Sequence, residues 1–103
     1  MKNNIKKIDQ ELLDMENSFI DLANKHCDYC DYDDYRKISI AFLYAAARFN
    51  AFDIWASAPD LVAFKSEKNT RQKLFETLYK KRLNEELNEF ETNFDKYRKE
   101  LAK

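Results

Sequence analysis

Apolar residues recur along the first quarter of the chain in alternating steps of three and four. The positions are Ile5, Ile8, Leu12, Met15, Phe19 and Leu22. Steps of this kind keep side chains on one face of an α-helix. The carboxylates between residues 9 and 21 fall off this stripe, as a solvated helix face requires. The pattern predicts a first helix over about residues 4–27.

The second apolar segment has the same spacing but is apolar around most of its circumference. Its main stripe is Tyr35, Ile38, Phe42, Ala45, Phe49, Phe52 and Ala56, and other apolar residues lie between these positions. A helix that is apolar nearly all round is typically a central one. We therefore predict a second helix over about residues 35–57, covered on several sides.

A third helix is predicted over about residues 59–101. Ser57, with Asp60 three positions later, resembles a capping box that would start this helix near Pro59. Neither glycine nor proline occurs between residues 60 and 101. One helix of about 40 residues would be roughly 60 Å long. The stripe weakens between Lys65 and Lys73, so a break near Thr70 is the alternative, although no capping box supports it.

These elements predict an all-α fold: a helical hairpin or three-helix bundle with a long C-terminal helix, forming a single domain over residues 1–103. The chain contains no glycine. Tight β-hairpin turns and the phosphate-binding loops of P-loop and Rossmann proteins depend on glycine. The composition therefore argues against sheets and against these two classes of nucleotide enzyme.

Charge and hydropathy exclude further classes of partner. The chain has 18 basic and 19 acidic residues, so no field of one sign favours nucleic acid or an anionic membrane. A basic, aromatic segment, Tyr79–Arg82, is flanked by glutamates and fits a solvated helix face better than a nucleic-acid platform. No apolar run is long enough to span a bilayer. The basic N-terminus lacks the apolar run of a signal peptide, and with two cysteines three positions apart we expect a cytoplasmic protein with reduced thiols.

Several segments resemble a known family. They are Phe19–Asn24, the block Leu43–Phe52 containing Tyr-Ala-Ala-Ala-Arg-Phe-Asn-Ala-Phe, Asp60–Leu61 and the aromatic-spaced tail to Phe94. Together they are similar to a family of short bacterial proteins, domain of unknown function 3144, over about residues 17–97. The resemblance implies a small helical bacterial protein and transfers no catalytic residues.

Cys27 and Cys30 form the most chemically suggestive cluster, with His26 beside them. Two thiolates at this spacing can bind one zinc ion, but a structural site needs four ligands, and the chain has one such pair and one histidine. A redox pair normally lies at a helix N-terminus, whereas this pair follows a helix and is surrounded by aspartates. We therefore expect two ordinary thiols, and neither a metal nor a cofactor.

Arg48 and Asn50 lie in the most apolar helix, and Tyr44 is one turn before Arg48. A guanidinium in such a helix is expected to be paired or to point outward. One interpretation is a structural ion pair with a carboxylate of the first or third helix. The other is a ligand or partner site formed by Tyr44, Arg48 and Asn50.

The predicted helix lengths favour a function in binding. A third helix of about 40 residues extends some 25 Å beyond a partner of about 23. The overhang contains either Leu61 and Phe64 or the apolar residues from Phe90 to Leu101. Because exposed apolar faces usually mark interfaces, we expect a homodimer with Phe90, Phe94 and Tyr97 at its interface.

The resulting function hypothesis is a protein–protein interaction role, as an adaptor, regulator or inhibitor, without enzymatic activity. The alternative is a small-ligand or metal-binding protein that uses the Arg48 face or the Cys27/Cys30 pair.

Overall fold

The all-α prediction is confirmed. A computed structural model describes the backbone of residues 2–27 and 32–102 and the side chains of residues 9–27 and 35–101. Within these residues the chain forms four helices and no strand. They are α1 (Lys2–His26), α2 (Tyr32–Ser57), α3 (Leu61–Thr92) and α4 (Phe94–Ala102). The arrangement as a hairpin or three-helix bundle, and the single domain, stay predictions.

The chain divides into two compact units, Met1–Phe49 and Asn50–Lys103, and α2 runs across the boundary. In the first unit, most side chains that the structure describes are exposed. The apolar stripe of α1 is among them at Leu12, Met15, Phe19 and Leu22. Ala23, Cys27 and Ile38 are half-buried. The periodicity therefore predicted the helix correctly, while its apolar face stays uncovered within the described part of this unit.

The second unit is organised around the turn between α2 and α3. Asp60 is the N-cap of α3: its backbone is extended, and its carboxylate accepts a hydrogen bond of 2.8 Å from the Ala63 N–H. Ser57, which the sequence suggested as the cap, instead donates its hydroxyl to the Asp53 carbonyl one turn back. The capping box prediction is thus wrong. Asp60 takes this role because Ser57 is still the last residue of α2 and α3 begins at Leu61.

The long C-terminal helix is confirmed, but it is interrupted at a position that the sequence did not indicate. The helix runs without a break through Thr70 and ends at Thr92. The alternative of a break near Thr70 is therefore not observed, and the helix that the sequence predicted over residues 59–101 is divided at Asn93. A weak apolar stripe between Lys65 and Lys73 does not unwind a helix, because the intrahelical hydrogen bonds do not depend on which side chains face outward.

Burial is very limited for a chain of this size. Among the described residues, Ile54 alone is buried, with 9% of its surface exposed. It lies in the last turns of α2, beside the turn that leads to α3. Phe64, Arg71 and Phe75 of α3 are half-buried, whereas nearly all later residues of α3 are exposed. The packed part of the second unit therefore lies mainly in its first half.

Candidate functional site

The exposed apolar face of α3 and α4 is the main candidate site. We call it the C-terminal stripe; its residues are Tyr79, Leu83, Leu87, Phe90, Phe94, Tyr97 and Leu101. The spacing of three and four places them along one helical face. Leu87, Phe90 and Phe94 leave 57%, 55% and 54% of their surfaces exposed. Tyr97 is half-buried. Leaving such side chains in water forgoes burial worth roughly 1.5–3 kcal/mol for each fully covered residue.

The interruption at Asn93 does not divide this stripe. The Asn93 N–H donates to the Glu89 carbonyl and the Tyr97 N–H donates to the Asn93 carbonyl, both at 3.0 Å, so the Asn93 backbone is hydrogen-bonded to both helices. The rings of Phe90 and Tyr97 pack in a tilted arrangement with centroids 5.0 Å apart. The aromatic residues of α4 therefore continue the face begun on α3.

Glu89 accepts the polar contacts at the interruption around Asn93, which we call the Asn93 bend. Its carboxylate oxygen Oε1 accepts a hydrogen bond of 3.0 Å from the Asn93 amide and one of 2.8 Å from the Tyr97 hydroxyl. The Asn93 amide also donates to the Glu89 carbonyl. The hydrogen bond to Glu89 raises the pKa of the Tyr97 phenol above its usual value, because the carboxylate would repel a phenolate, and nearby glutamates act in the same direction.

Two cations also lie over aromatic rings near the end of the chain. The Arg98 guanidinium lies 5.0 Å from the centroid of Phe94, and the Lys96 ammonium lies 6.0 Å from that of Tyr97. Such contacts are worth about 0.5–1 kcal/mol at exposed sites. They cover part of each aromatic ring and leave the stripe itself open.

An ion pair joins α2 and α3 across the turn between them. Arg71 Nη2 lies 2.6 Å from Asp53 Oδ2 across a separation of 18 residues. Both side chains are partly exposed, so this ion pair contributes at most about 1 kcal/mol. Asp53 precedes the buried Ile54 in sequence, and the pair links the end of α2 to Arg71 in the first half of α3. It has the properties of a structural contact.

The candidate site at Tyr44, Arg48 and Asn50 is only partly brought together. Tyr44 and Arg48 are one turn apart on α2 and are both exposed. Asn50 is half-buried, and residues two apart on a helix do not face each other. Within the described part of its own unit Arg48 forms no ion pair, so the predicted pairing with the first helix is not seen there, and a pairing with the third helix stays a prediction. Its role as a ligand or partner site stays a prediction.

The cysteine pair falls partly outside the described residues. Cys27 is half-buried and carries a free thiol, and Cys30 lies outside the described range. In the part of the chain that the structure describes, no three metal-binding side chains lie together. The expectation that the pair binds neither metal nor cofactor therefore stays a prediction.

Sequence reasoning missed Asp53, Arg71, Glu89 and Asn93. Asn93 carried a usable signal, because asparagine is one of the residues that tolerate a helix end. Glu89 had none beyond its spacing of four from Asn93. The Asp53–Arg71 pair joins two helices, so the periodicity of either helix alone could not have revealed it.

Two further observations bear on the class of protein. Within residues 2–27 and 32–102, no helix combines the length and apolar character needed to cross a bilayer. Comparison with known proteins found no curated protein and no solved structure that matches the chain. Residues 12–90 match a family described as "Protein of unknown function (DUF3144)". Since the match covers most of the chain, and agrees with the resemblance over residues 17–97, this protein belongs to the DUF3144 family.

Proposed function

We propose that the protein acts by binding other proteins through its C-terminal stripe, as a small adaptor, regulator or inhibitor, and that its first partner is a second copy of itself. The proposed role is binding without catalysis, in the cytoplasm of a bacterial cell. One observation carries it: the stripe combines large aromatic and aliphatic side chains with exposure of 41–63% of the surface at every member except Tyr97. Continuous exposed apolar faces of this kind usually mark interaction surfaces.

Self-association would recover part of the free energy that these exposed side chains forgo. Covering the exposed half of one such side chain contributes about 1 kcal/mol. This gain offsets the translational and rotational freedom that two chains lose when they associate.

Sedimentation velocity over a protein concentration series, combined with native mass spectrometry, tests the proposal. We expect a dimer at tens of micromolar, and we expect replacement of Phe90 and Phe94 by aspartate to convert it to a monomer. Circular dichroism should show that the helical content of this variant is largely retained, since neither side chain is buried.

The matched control replaces Leu61 and Val62 by aspartate. These two residues are 65% and 77% exposed, and the substitution adds the same charge at the other end of α3. Acidic residues in a first helical turn are favourable, so the control should fold and still dimerise. A wild-type monomer at tens of micromolar would refute the proposal. Loss of the dimer in the control alone would instead assign the interface to the N-terminal end of α3.

A further inference from the structure

The charges on α3 are sorted along its length, and this pattern indicates how two copies would meet. Between residues 65 and 82, basic residues outnumber acidic ones by seven to two. Between residue 84 and the end of α3 at Thr92 there are four acidic residues and no basic one. The net charge of the chain hides this division. A helix with one basic half and one acidic half is complementary to a copy of itself that runs in the opposite direction.

We propose that two copies of the chain pair through α3 in an antiparallel arrangement whose two-fold axis passes close to Glu85. The proposal rests on the proposed self-association and adds its geometry. With this centre, Leu83 of one chain lies opposite Leu87 of the second copy, and Tyr79 lies opposite Phe90 of the second copy. Each contact occurs twice, as two-fold symmetry requires.

The charged residues on either side of the stripe independently favour the same alignment of the two α3 helices. Lys80 and Glu91 are eleven residues apart, which is about three helical turns, so both lie on one side of the stripe. Arg82 and Glu86 lie together on its other side, one turn apart. In an antiparallel pair each side of the stripe faces the same side of the second helix. Lys80 then meets Glu91, and Arg82 meets Glu86, at the level where the apolar residues also match.

A parallel pair would bring like charges together. Each side of the stripe would then face the opposite side of the stripe on the second helix, and residues of similar number would be neighbours. Lys80 would lie beside Arg82 of the second copy, and Glu91 would lie beside its glutamates. Charges that flank an apolar seam set helix orientation in coiled coils. The four side chains are exposed in the single chain, and the Arg82–Glu85 contact of 3.8 Å is a partly exposed pair that a better-placed partner can replace.

Charge reversal tests the arrangement on the full chain at low ionic strength. We expect Lys80→Glu/Arg82→Glu, and separately Glu86→Lys/Glu91→Lys, to weaken self-association by roughly tenfold or more, because four attractive pairs per dimer become repulsive. An equal mixture of the two variants should form a heterodimer. The chain carrying all four substitutions should again pair with itself and should not pair with wild-type chains. Unchanged affinity of the two half-reversed variants, or pairing of the fully reversed chain with wild type, would overturn the antiparallel arrangement.

Spin labels at two neutral positions test it without touching the charges. Cysteine replaces Thr70 in one variant and Asn84 in the other, with Cys27 and Cys30 changed to serine in both. Thr70 is 15 residues from the centre, so its two labels should be at least about 45 Å apart, whereas those at Asn84 should be within roughly 25 Å. Short distances at both positions in a dimer would overturn this inference and leave the proposed function standing. A wild-type monomer would overturn both.

Discussion

The second compact unit contains both the turn between α2 and α3 and the C-terminal stripe. The two regions differ in whether their apolar side chains are buried. At the turn, Ile54 is buried, Asp60 caps α3, and Arg71 pairs with Asp53. Along the stripe the polar groups are satisfied at the Asn93 bend, while the apolar side chains stay exposed. The turn is therefore complete within one chain. The stripe is left exposed, and the difference separates a region that supports folding from one that we propose supports binding.

Truncation of Ile54 should have the largest effect on the turn. Ile54→Ala removes buried methyl groups and leaves a cavity, so we expect a loss of about 2–4 kcal/mol in the free energy of unfolding. The loss should be independent of protein concentration, since the contact lies within one chain. Chemical unfolding at two concentrations measures it. Val62→Ala, at a 77% exposed position, is the control and should change stability little. Equal losses in the two variants would contradict the difference in burial.

Truncation of Leu87 should act mainly on association. Leu87→Ala removes half-exposed surface from both copies, so we expect the dimer to weaken by about 2 kcal/mol, or roughly 30-fold in Kd. The effect on unfolding should grow with protein concentration, because it acts through the bound state. A loss of stability that is equal at low and high concentration would show that Leu87 is covered by its own chain.

The sequence predicted the helices well because their cause is local. Alternating steps of three and four, and the absence of glycine and proline, are sufficient to recognise α1, α2 and the long α3. The ends were less predictable. Ser57 and Asp60 are both good capping residues, and the choice between them depends on where the backbone leaves the helix. The division at Asn93 depends on side-chain hydrogen bonds to Glu89, which have no counterpart in an apolar pattern.

The candidate site was predictable only in part. The spacing identified Phe90, Phe94 and Tyr97 as one face, but periodicity does not say whether a face is covered. The structure adds that Phe90 and Phe94 are exposed and that Tyr97 donates a hydrogen bond to Glu89. The Asp53–Arg71 contact was inaccessible, because it depends on how two helices meet.

Removal of the α3 cap should have a smaller effect at the turn. Asp60→Ala leaves the Ala63 N–H without its side-chain acceptor, and we expect a loss of about 1 kcal/mol in stability. Asp60→Asn keeps an oxygen acceptor and should lose less. Thermal unfolding of both variants measures the difference, and dimer affinity should stay unchanged in each. If Ser57→Ala were more destabilising than Asp60→Ala, Ser57 would be the effective cap.

The smallest expected effect is a pH dependence at the Asn93 bend. The hydrogen bond to Glu89 raises the pKa of Tyr97 above its usual value of 10.0. The Tyr97 phenol therefore keeps its proton more tightly in the folded chain than in the unfolded chain. Its contribution to the stability of the fold is fully present below about pH 10 and is lost as the pH rises through the raised pKa. Absorbance titration at alkaline pH, taken as the difference between wild type and Tyr97→Phe, isolates this tyrosine from the other five.

Glu89→Gln removes the charge responsible and should lower the Tyr97 pKa towards its usual value. Dimer affinity should change little, since Glu89 is not among the charges that set the alignment of the two helices. An unchanged pKa in Glu89→Gln would show that the other nearby glutamates, and not this hydrogen bond, control the phenol.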